Sequence, residues 1–204
     1  MVDDKINILS HPEHNTEDKN YWTDKFGPKN EIKFCNEICP IIKKNGILNP
    51  EKKTNPYVPD IIVDGKLSDL KYQSTPFYSC GHYYNYDPQF TCVFNDKDFI
   101  HYDRKYPDLD LYFWINYPEM EKNHKGKQIL IHRMEGIFFI DFQNLKRLID
   151  NKKSPQHNYL RRANDVVGNA KSSYLIDVRD LECLWIFSGS ELFKESRDEK
   201  DKIL

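Results

Sequence analysis

The sequence has little of what marks several large classes of protein. It contains no run of 18 or more apolar residues, so it predicts no membrane-spanning helix. Its five cysteines are odd in number and irregularly spaced, which favours reduced thiols over a disulfide framework. The first residues, Met1 to Lys5, lack the basic and apolar regions of a signal peptide. These absences together predict a cytoplasmic protein without membrane contact.

An excess of basic residues is also missing, because the formal net charge is −2. This does not exclude nucleic acid as a partner, since acidic residues gathered in a metal site can offset basic residues along a cleft. The length of 204 residues predicts a single domain spanning 1–204. Residues 1–14 are polar and predict a flexible arm, and the charged tail at 195–204 predicts a frayed helix end or a disordered segment.

The most informative stretch is 59–73, which reads as two short strands joined by a tight turn. Asp64 and Gly65 stand between apolar runs, and this dipeptide is typical of a two-residue type I′ turn. A two-residue loop fixes the pairing register by counting outward from the turn. The predicted facing pairs are Val63 with Lys66, Ile62 with Leu67, Ile61 with Ser68, and Asp60 with Asp69.

This register places two carboxylates side by side. Opposed Cβ atoms lie about 4.5–5.5 Å apart, and like charges at that spacing repel. A divalent cation gives the arrangement a reason, because Mg²⁺ is typically held by one or two carboxylates with water and phosphate oxygens. Lys71 and Gln73 lie on the same side of the strand as Asp69. An ammonium there can position a water molecule or stabilise charge on a phosphate, so the chemistry indicated is metal-assisted phosphodiester hydrolysis.

The order Pro59-Asp60, eight intervening residues, then Asp69-Leu70-Lys71 resembles the signature of the PD-(D/E)XK nucleases. The match covers about fifteen of the 204 residues. The resemblance implies that Asp60 and Asp69 bind Mg²⁺, with Mn²⁺ as a substitute, that Lys71 is catalytic, and that Gln73 makes a secondary contact to water or metal. It also implies a restriction-endonuclease-like core.

In that family, a glutamate on the helix before the hairpin often completes the metal site. A helix is predicted from about residue 30 to 44, with an apolar stripe at Cys35, Ile38, Cys39 and Ile42 and with Pro40 as a kink or a division. Glu31 continues that stripe, while Glu37 is nearer to the hairpin in sequence. Glu31 is the favoured third ligand, and Glu37 is the alternative.

The remaining pattern predicts one mixed central β-sheet flanked by helices, an α/β (α+β) fold. Residues 109–117 form a strongly apolar run that predicts a central strand buried on both faces. Residues 45–58 and 74–89 are predicted to be irregular. Lys52 and Lys53 in the first of these loops are predicted to be solvated, with an approach to phosphate as the alternative. The other predicted strands are 90–95, 128–132, 136–140, 174–178 and 184–187. The other predicted helices are one that starts at 15–18 and ends at 27–28, one at 96–102, and one at 142–149 with Asp141 as the N-cap.

The stretch 157–174 is dense in hydrogen-bonding side chains. Arg and Asn suit bidentate contacts to guanine and adenine, while Lys and Ser reach phosphates. The alternative is a polar loop whose arginines pair internally with Asp165. The predicted DNA contacts are Arg161, Arg162, Asn164, Asn169 and Lys171.

These observations favour a Mg²⁺-dependent DNA endonuclease. The family resemblance implies a site-specific type II restriction enzyme that acts on double-stranded DNA, in which a homodimer presents two sites to a palindrome. A repair or recombination nuclease of the same fold is the alternative within the class. A catalytically silent nucleic-acid-binding module and a globular interaction protein are the alternatives from other classes.

Overall fold

The structure is a computed structural model, and it describes residues 27–159 and 171–203 of the chain. The strands in these ranges are β1 (Gly46–Leu48), β2 (Ile61–Val63), β3 (Lys66–Gln73), β4 (Thr91–Asn95), β5 (Asp110–Tyr117), β6 (Met120–His124), β7 (Lys127–Ile131), β8 (Met134–Asp141), β9 (Gln156–Asn158), β10 (Ser172–Asp177) and β11 (Glu182–Ser188). The α-helices are α1 (Gly27–Lys33), α2 (Cys39–Ile41), α3 (Ser79–Tyr84), α4 (Asp96–Lys105), α5 (Phe142–Asp150) and α6 (Ser190–Ile203). A π-helical turn spans Phe34–Ile38, and short 3₁₀ helices span Pro50–Lys53 and Val178–Asp180.

A six-stranded mixed sheet with the order β1-β2-β3-β5-β8-β11 forms the centre of the molecule. β3 and β5 run parallel, whereas the other neighbouring strands pair antiparallel. Parallel neighbours need a long crossover, and here the chain passes through α3, β4 and α4 between them. The predicted mixed sheet flanked by helices is therefore confirmed. The more specific restriction-endonuclease-like core stays a prediction.

The central strand β5 divides the apolar interior into two layers. Leu111, Phe113 and Ile115 enter a cluster that also contains side chains of α4, α5 and α6. Tyr112 and Trp114 point to the opposite face, into a cluster with the π-helical turn. Side chains alternate along a strand, so a strand covered on both faces reads as a continuous apolar run. The prediction that this strand is buried on both faces is confirmed.

The hairpin of β2 and β3 has the predicted turn and register. Asp64 and Gly65 adopt positive φ values of 51° and 81°, as a type I′ turn requires. The facing pairs are Val63 with Lys66, Ile62 with Leu67, and Ile61 with Ser68. The pairing ends at Ile61 and Ser68. Asp60 immediately precedes the paired residues of β2, and Asp69 immediately follows those of β3.

The helical segment from Gly27 to Ile41 accommodates Pro40 by changing its hydrogen-bond pattern. Proline has no N–H and cannot bond to the carbonyl four residues earlier. The backbone widens into the π-helical turn just before it, where the Cys39 N–H donates to the Phe34 carbonyl. The predicted stripe still faces the core, because Cys35, Ile38 and Cys39 are buried. The local sequence thus predicted the buried face but not the π-helical turn.

Two segments that were predicted to be irregular contain regular structure. Residues 45–58 include β1 and the 3₁₀ helix Pro50–Lys53, and residues 74–89 include α3. The segment predicted as a frayed end or disordered at 195–204 lies in α6 as far as Ile203. The predicted arm at 1–14 lies outside the described residues. Within the described ranges, no helix combines the length and apolar character needed to cross a bilayer.

Candidate active-site cleft

A cleft opens where β3 extends beyond its short partner β2. Their pairing ends at Ile61 and Ser68, and the strand that pairs with residues 69–73 of β3 in the described structure is β5, on the other side. The N-terminal part of α1, the first 3₁₀ helix and α4 border the resulting space, which has a volume of about 850 Å³. Its charged lining residues are Glu31, Lys52, Asp60, Lys71, Lys97 and Asp98.

Asp69 lies beneath this cleft and is only 1% exposed. Its Oδ2 accepts no hydrogen bond, although Lys71 Nζ lies 2.7 Å away at an angle that does not make one. Burial raises the pKa of Asp69 to about 6, and the negative charge of Asp60 contributes in the same direction. The nearby Lys71 ammonium lowers the pKa of Asp69 and so offsets part of the effect of burial, but the pKa remains raised.

Lys71 projects from β3 between two carboxylates. Its Nζ lies 2.7 Å from Asp69 Oδ2 and donates a 2.6 Å hydrogen bond to Asp98 Oδ2 on α4. The ammonium also lies 5.5 Å and 5.7 Å from the ring centroids of Phe94 and Tyr102. Burial lowers the pKa of Lys71, but Asp69 and Asp98 raise it by more, so it lies well above the usual range. Lys71 is therefore a positive charge at neutral pH and not a general base.

Lys52 forms the second positive centre of the cleft. Its Nζ contacts Asp60 Oδ1 and lies 3.3 Å from Glu31 Oε1. Burial lowers the pKa of Lys52, but Asp60 and Glu31 raise it by more and keep the side chain charged. The described contacts therefore pair each lysine with two carboxylates. Lys52 contacts Glu31 and Asp60, and Lys71 contacts Asp69 and Asp98.

The loop that carries Lys52 is tied to the hairpin by a buried asparagine. Asn49 is 3% exposed, and its Nδ2 donates a 2.8 Å hydrogen bond to the Pro59 carbonyl. The Asn49 backbone N–H donates to the Asp60 carbonyl at 3.0 Å, and its side-chain oxygen caps the 3₁₀ helix by accepting from Glu51 N. Lys52 is thus held on an ordered turn beside Asp60. The prediction of a solvated loop was wrong for this residue, because long-range contacts of Asn49 were not visible in the local pattern.

The structure places Glu31, and not Glu37, at the cleft. Glu31 lies on α1, and burial raises its pKa while the Lys52 ammonium offsets part of that effect. Glu37 is exposed in the π-helical turn and does not line the cleft. The apolar stripe of the predicted helix therefore pointed to the right glutamate. Glu31 and Asp60 both contact Lys52.

Gln73 lines the cleft but uses its amide on protein groups. Its Nε2 donates to Tyr117 Oη at 2.8 Å and to the Thr75 carbonyl at 2.9 Å, while Oε1 accepts from Val93 N at 3.0 Å. These contacts link the end of β3 to β4 and β5. Its position therefore supports the cleft wall, and no described hydrogen bond joins it to Asp60 or Asp69.

The residues predicted to contact DNA fall largely outside the described ranges. Arg161, Arg162, Asn164 and Asn169 are among the residues that the structure does not describe. Lys171 is described and exposed, and its carbonyl accepts a 2.9 Å hydrogen bond from Tyr159 N. It stands where the chain enters β10, opposite the end of β9.

The acidic residues of the cleft fit a divalent cation by their chemistry. Within the described residues, no group of three or more His, Cys, Asp or Glu side chains is arranged to hold a metal. The reason is visible in the contacts, since Lys52 stands between Glu31 and Asp60 and Lys71 stands against Asp69. The donors are nevertheless hard carboxylate oxygens, the type that Mg²⁺ prefers.

Asp98 and Lys52 are the residues of this cleft that the sequence did not identify. Asp98 stands in the first turn of α4, where acidic residues commonly stabilise the helix N-terminus, so its position carried no separate signal. Lys52 is one of a pair of adjacent lysines, and that pair was the sequence feature that pointed to a basic site in this loop.

Comparison with protein-family models, with curated proteins and with solved structures found no significant match.

Proposed function

We propose that this protein is a Mg²⁺-dependent endonuclease that hydrolyses phosphodiester bonds of DNA. The observation that carries the proposal is that Asp60 and Lys71 line a cleft large enough for a nucleotide and that both interact with the buried Asp69. The negative charge of Asp60 contributes to the raised pKa of the buried Asp69, and a bound cation would favour the ionised form of both carboxylates. The spacing of the same residues resembles the PD-(D/E)XK signature.

The proposed roles follow from burial and charge. Asp60 and Asp69, with Glu31, hold the cation, and the bound cation supplies a water of lowered pKa and a polarised phosphate oxygen. Because Lys71 is protonated at neutral pH, it serves as a fixed positive charge that orients water or stabilises the developing negative charge. Asp98 holds that ammonium from the opposite side and keeps it over the cleft.

The finer assignment is a site-specific enzyme of the type II restriction class that acts on double-stranded DNA in the cytoplasm as a homodimer. What supports it is the family resemblance. The alternative within the class is a repair or recombination nuclease. Discrete fragments from plasmid DNA support the first assignment, whereas cleavage that depends on DNA structure supports the second.

The decisive experiment compares the wild type with Asp69→Asn on plasmid and phage DNA, with Mg²⁺, with Mn²⁺ and with EDTA. We expect metal-dependent cleavage that falls by about 100-fold or more in Asp69→Asn, the scale expected when a key electrostatic group is lost. Asp64→Asn is the matched control, because it changes an aspartate of the same hairpin at the turn, and asparagine tolerates its positive φ. Cleavage by Asp69→Asn at the wild-type rate would falsify the assignment.

A catalytically silent nucleic-acid-binding module is the second candidate. The observation that favours it is the neutralisation of the acidic residues by Lys52 and Lys71, which makes the cleft stable without a metal. In that case DNA binding measured by fluorescence anisotropy in EDTA persists, and no cleavage appears with any divalent cation.

Within the nuclease proposal, the Lys71→Ala variant tests the role of this lysine. If the variant cleaves DNA at the full rate, Lys71 has a structural role and not a catalytic one.

A further inference from the structure

Lys52 is placed as a cation between two acids of the proposed metal site. Its ammonium contacts Asp60 and lies 3.3 Å from Glu31, and no other carboxylate takes part in its described hydrogen bonds and salt bridges. All three side chains are largely shielded, with exposed fractions of 29% for Lys52, 14% for Glu31 and 19% for Asp60. The contact therefore differs from an exposed surface pair, which contributes little.

The backbone beneath Lys52 is fixed, while its side chain is long enough to change position. Asn49 ties the 3₁₀ helix to Pro59 and to the backbone of Asp60, as described above. Lysine places its charge on a flexible four-carbon stem, and the stem of Lys52 borders the open volume of the cleft. The ammonium can thus leave Glu31 and Asp60 without unfolding of the turn.

The position between these two carboxylates is also the one that a shared divalent cation requires. A divalent ion brings twice the charge of an ammonium to the same oxygens, but it has to compete with a group that is already attached to the protein. We propose that Lys52 is a resident counter-cation that keeps Glu31 and Asp60 together in the metal-free protein and that a divalent cation must displace on binding. This inference rests on the proposed function, because it concerns the same metal site.

The test is calorimetric titration of the full-length protein with Mn²⁺ alone, at pH 7 and without DNA. Lys52→Met removes the competing charge while retaining much of the side-chain bulk. We expect its Mn²⁺ dissociation constant to be lower than that of the wild type by about tenfold or more, since the metal no longer displaces an ion pair. Lys66→Met is the matched control, because Lys66 lies on the same hairpin but pairs with Asp110 outside the cleft. Its dissociation constant should equal that of the wild type.

Thermal melting provides a second readout that also shows whether the variants fold. Without metal, Lys52→Met should melt at a lower temperature than the wild type, because Glu31 and Asp60 lose their shared partner. Saturating Mn²⁺ should raise its melting temperature by more than it raises that of the wild type. Lys52→Gln keeps a neutral hydrogen-bond donor and serves if the methionine variant does not fold, with the same expected order.

The outcomes separate this inference from the proposed function. Equal or weaker Mn²⁺ binding by Lys52→Met, together with loss of binding in Asp69→Asn, would overturn the role of Lys52 and leave the metal site in place. Absence of Mn²⁺ binding in the wild type and in both Lys52 variants would overturn the metal site and this inference together. Tighter binding in Lys52→Met and Lys52→Gln, with Lys66→Met unchanged, supports both.

Discussion

Two buried aspartates in this molecule have opposite surroundings. Asp177, at the end of β10, accepts hydrogen bonds from the backbone and guanidinium of Arg179 and lies 3.0 Å from Lys200 Nζ. Burial alone raises the pKa of Asp177, but the bonds from Arg179 and the charge of Lys200 lower it below the usual range. Asp69 is at least as buried, yet its Oδ2 accepts no hydrogen bond and its pKa is raised to about 6.

The difference lies in how the hydrogen-bonding capacity of each carboxylate is used. At Asp177 the partners form a closed network that includes Asp180, which lies 2.6 Å from Lys200 Nζ, and Ser196, which accepts from Arg179. Such a network anchors α6 to the second 3₁₀ helix and leaves no position for a ligand. At Asp69 the Lys71 ammonium offsets only part of the effect of burial, and a buried group with a displaced pKa beside a cleft is typical of functional sites.

The largest effect on stability is expected at the closed network. Asp177→Asn leaves the charges of Arg179 and Lys200 without their shared acid, and removal of one partner from a buried ion pair costs about 3 kcal/mol or more. Urea denaturation at pH 7 measures it. Asp180→Asn is the control and should cost less, because Lys200 retains Asp177. Equal stability of Asp177→Asn and the wild type would contradict the view that this network holds the fold.

At the cleft, replacement of the buried aspartate is expected to increase the free energy of unfolding and not to decrease it. In the metal-free protein above pH 6, Asp69→Asn removes a negative charge that is buried without hydrogen bonds to one oxygen. A displacement of the pKa from 3.8 to about 6 corresponds to roughly 3 kcal/mol. This net shift already includes the attraction of Lys71, so we expect a gain of up to about 3 kcal/mol in the free energy of unfolding. A loss of stability in urea denaturation with EDTA would show that Asp69 is held as firmly as Asp177.

The two aspartates should also respond oppositely to pH. The folded-state pKa of Asp69 is raised, so the folded protein binds its proton more tightly, and the contribution of Asp69 to stability decreases as pH rises from about 4 to 6. The folded-state pKa of Asp177 is lowered, so its contribution is present above pH 4 and is lost as pH falls further. Stability of each Asn variant relative to the wild type, measured from about pH 2 to 8, reports both. The stability gain of Asp69→Asn over the wild type should be absent below pH 4, increase as pH rises from about 4 to 6, and persist above pH 6.

Much of the cleft was predictable from local chemistry. The turn at Asp64 and Gly65 has a sequence preference that fixes the register of the paired residues, and Asp60, just beyond the last pair, lies close enough to Asp69 to raise its pKa. The position of Glu31 followed from helical spacing. These features depend on residues that are close together in the chain, where periodicity and turn chemistry carry the information.

Lys52 and Asp98 were not predictable in the same way. The position of Lys52 depends on hydrogen bonds that Asn49 makes to Pro59 and Asp60, about ten residues away. Asp98 reaches Lys71 from α4, which packs against β4 and β10, and no local pattern reports this long-range contact. Contacts made by tertiary packing override local preference, so the ion pairs that complete the cleft appear only in the folded structure.

The smallest effect is expected at Lys66, which tests whether burial or distance decides the strength of these pairs. Lys66 Nζ lies 2.6 Å from Asp110 Oδ1, the same distance that separates Lys71 Nζ from Asp98 Oδ2. The Lys66 side chain is 48% exposed and that of Lys71 is 21% exposed. Water screens the first pair, so Lys66→Met should change the free energy of unfolding by less than about 1 kcal/mol. Lys71→Met should cost more, because Asp69 and Asp98 then lose a shared cation in a less solvated position. Equal costs in parallel urea denaturation of the two variants would mean that the cleft is as well solvated as the turn of the hairpin, and the contrast between Asp69 and Asp177 would then lose its basis in burial.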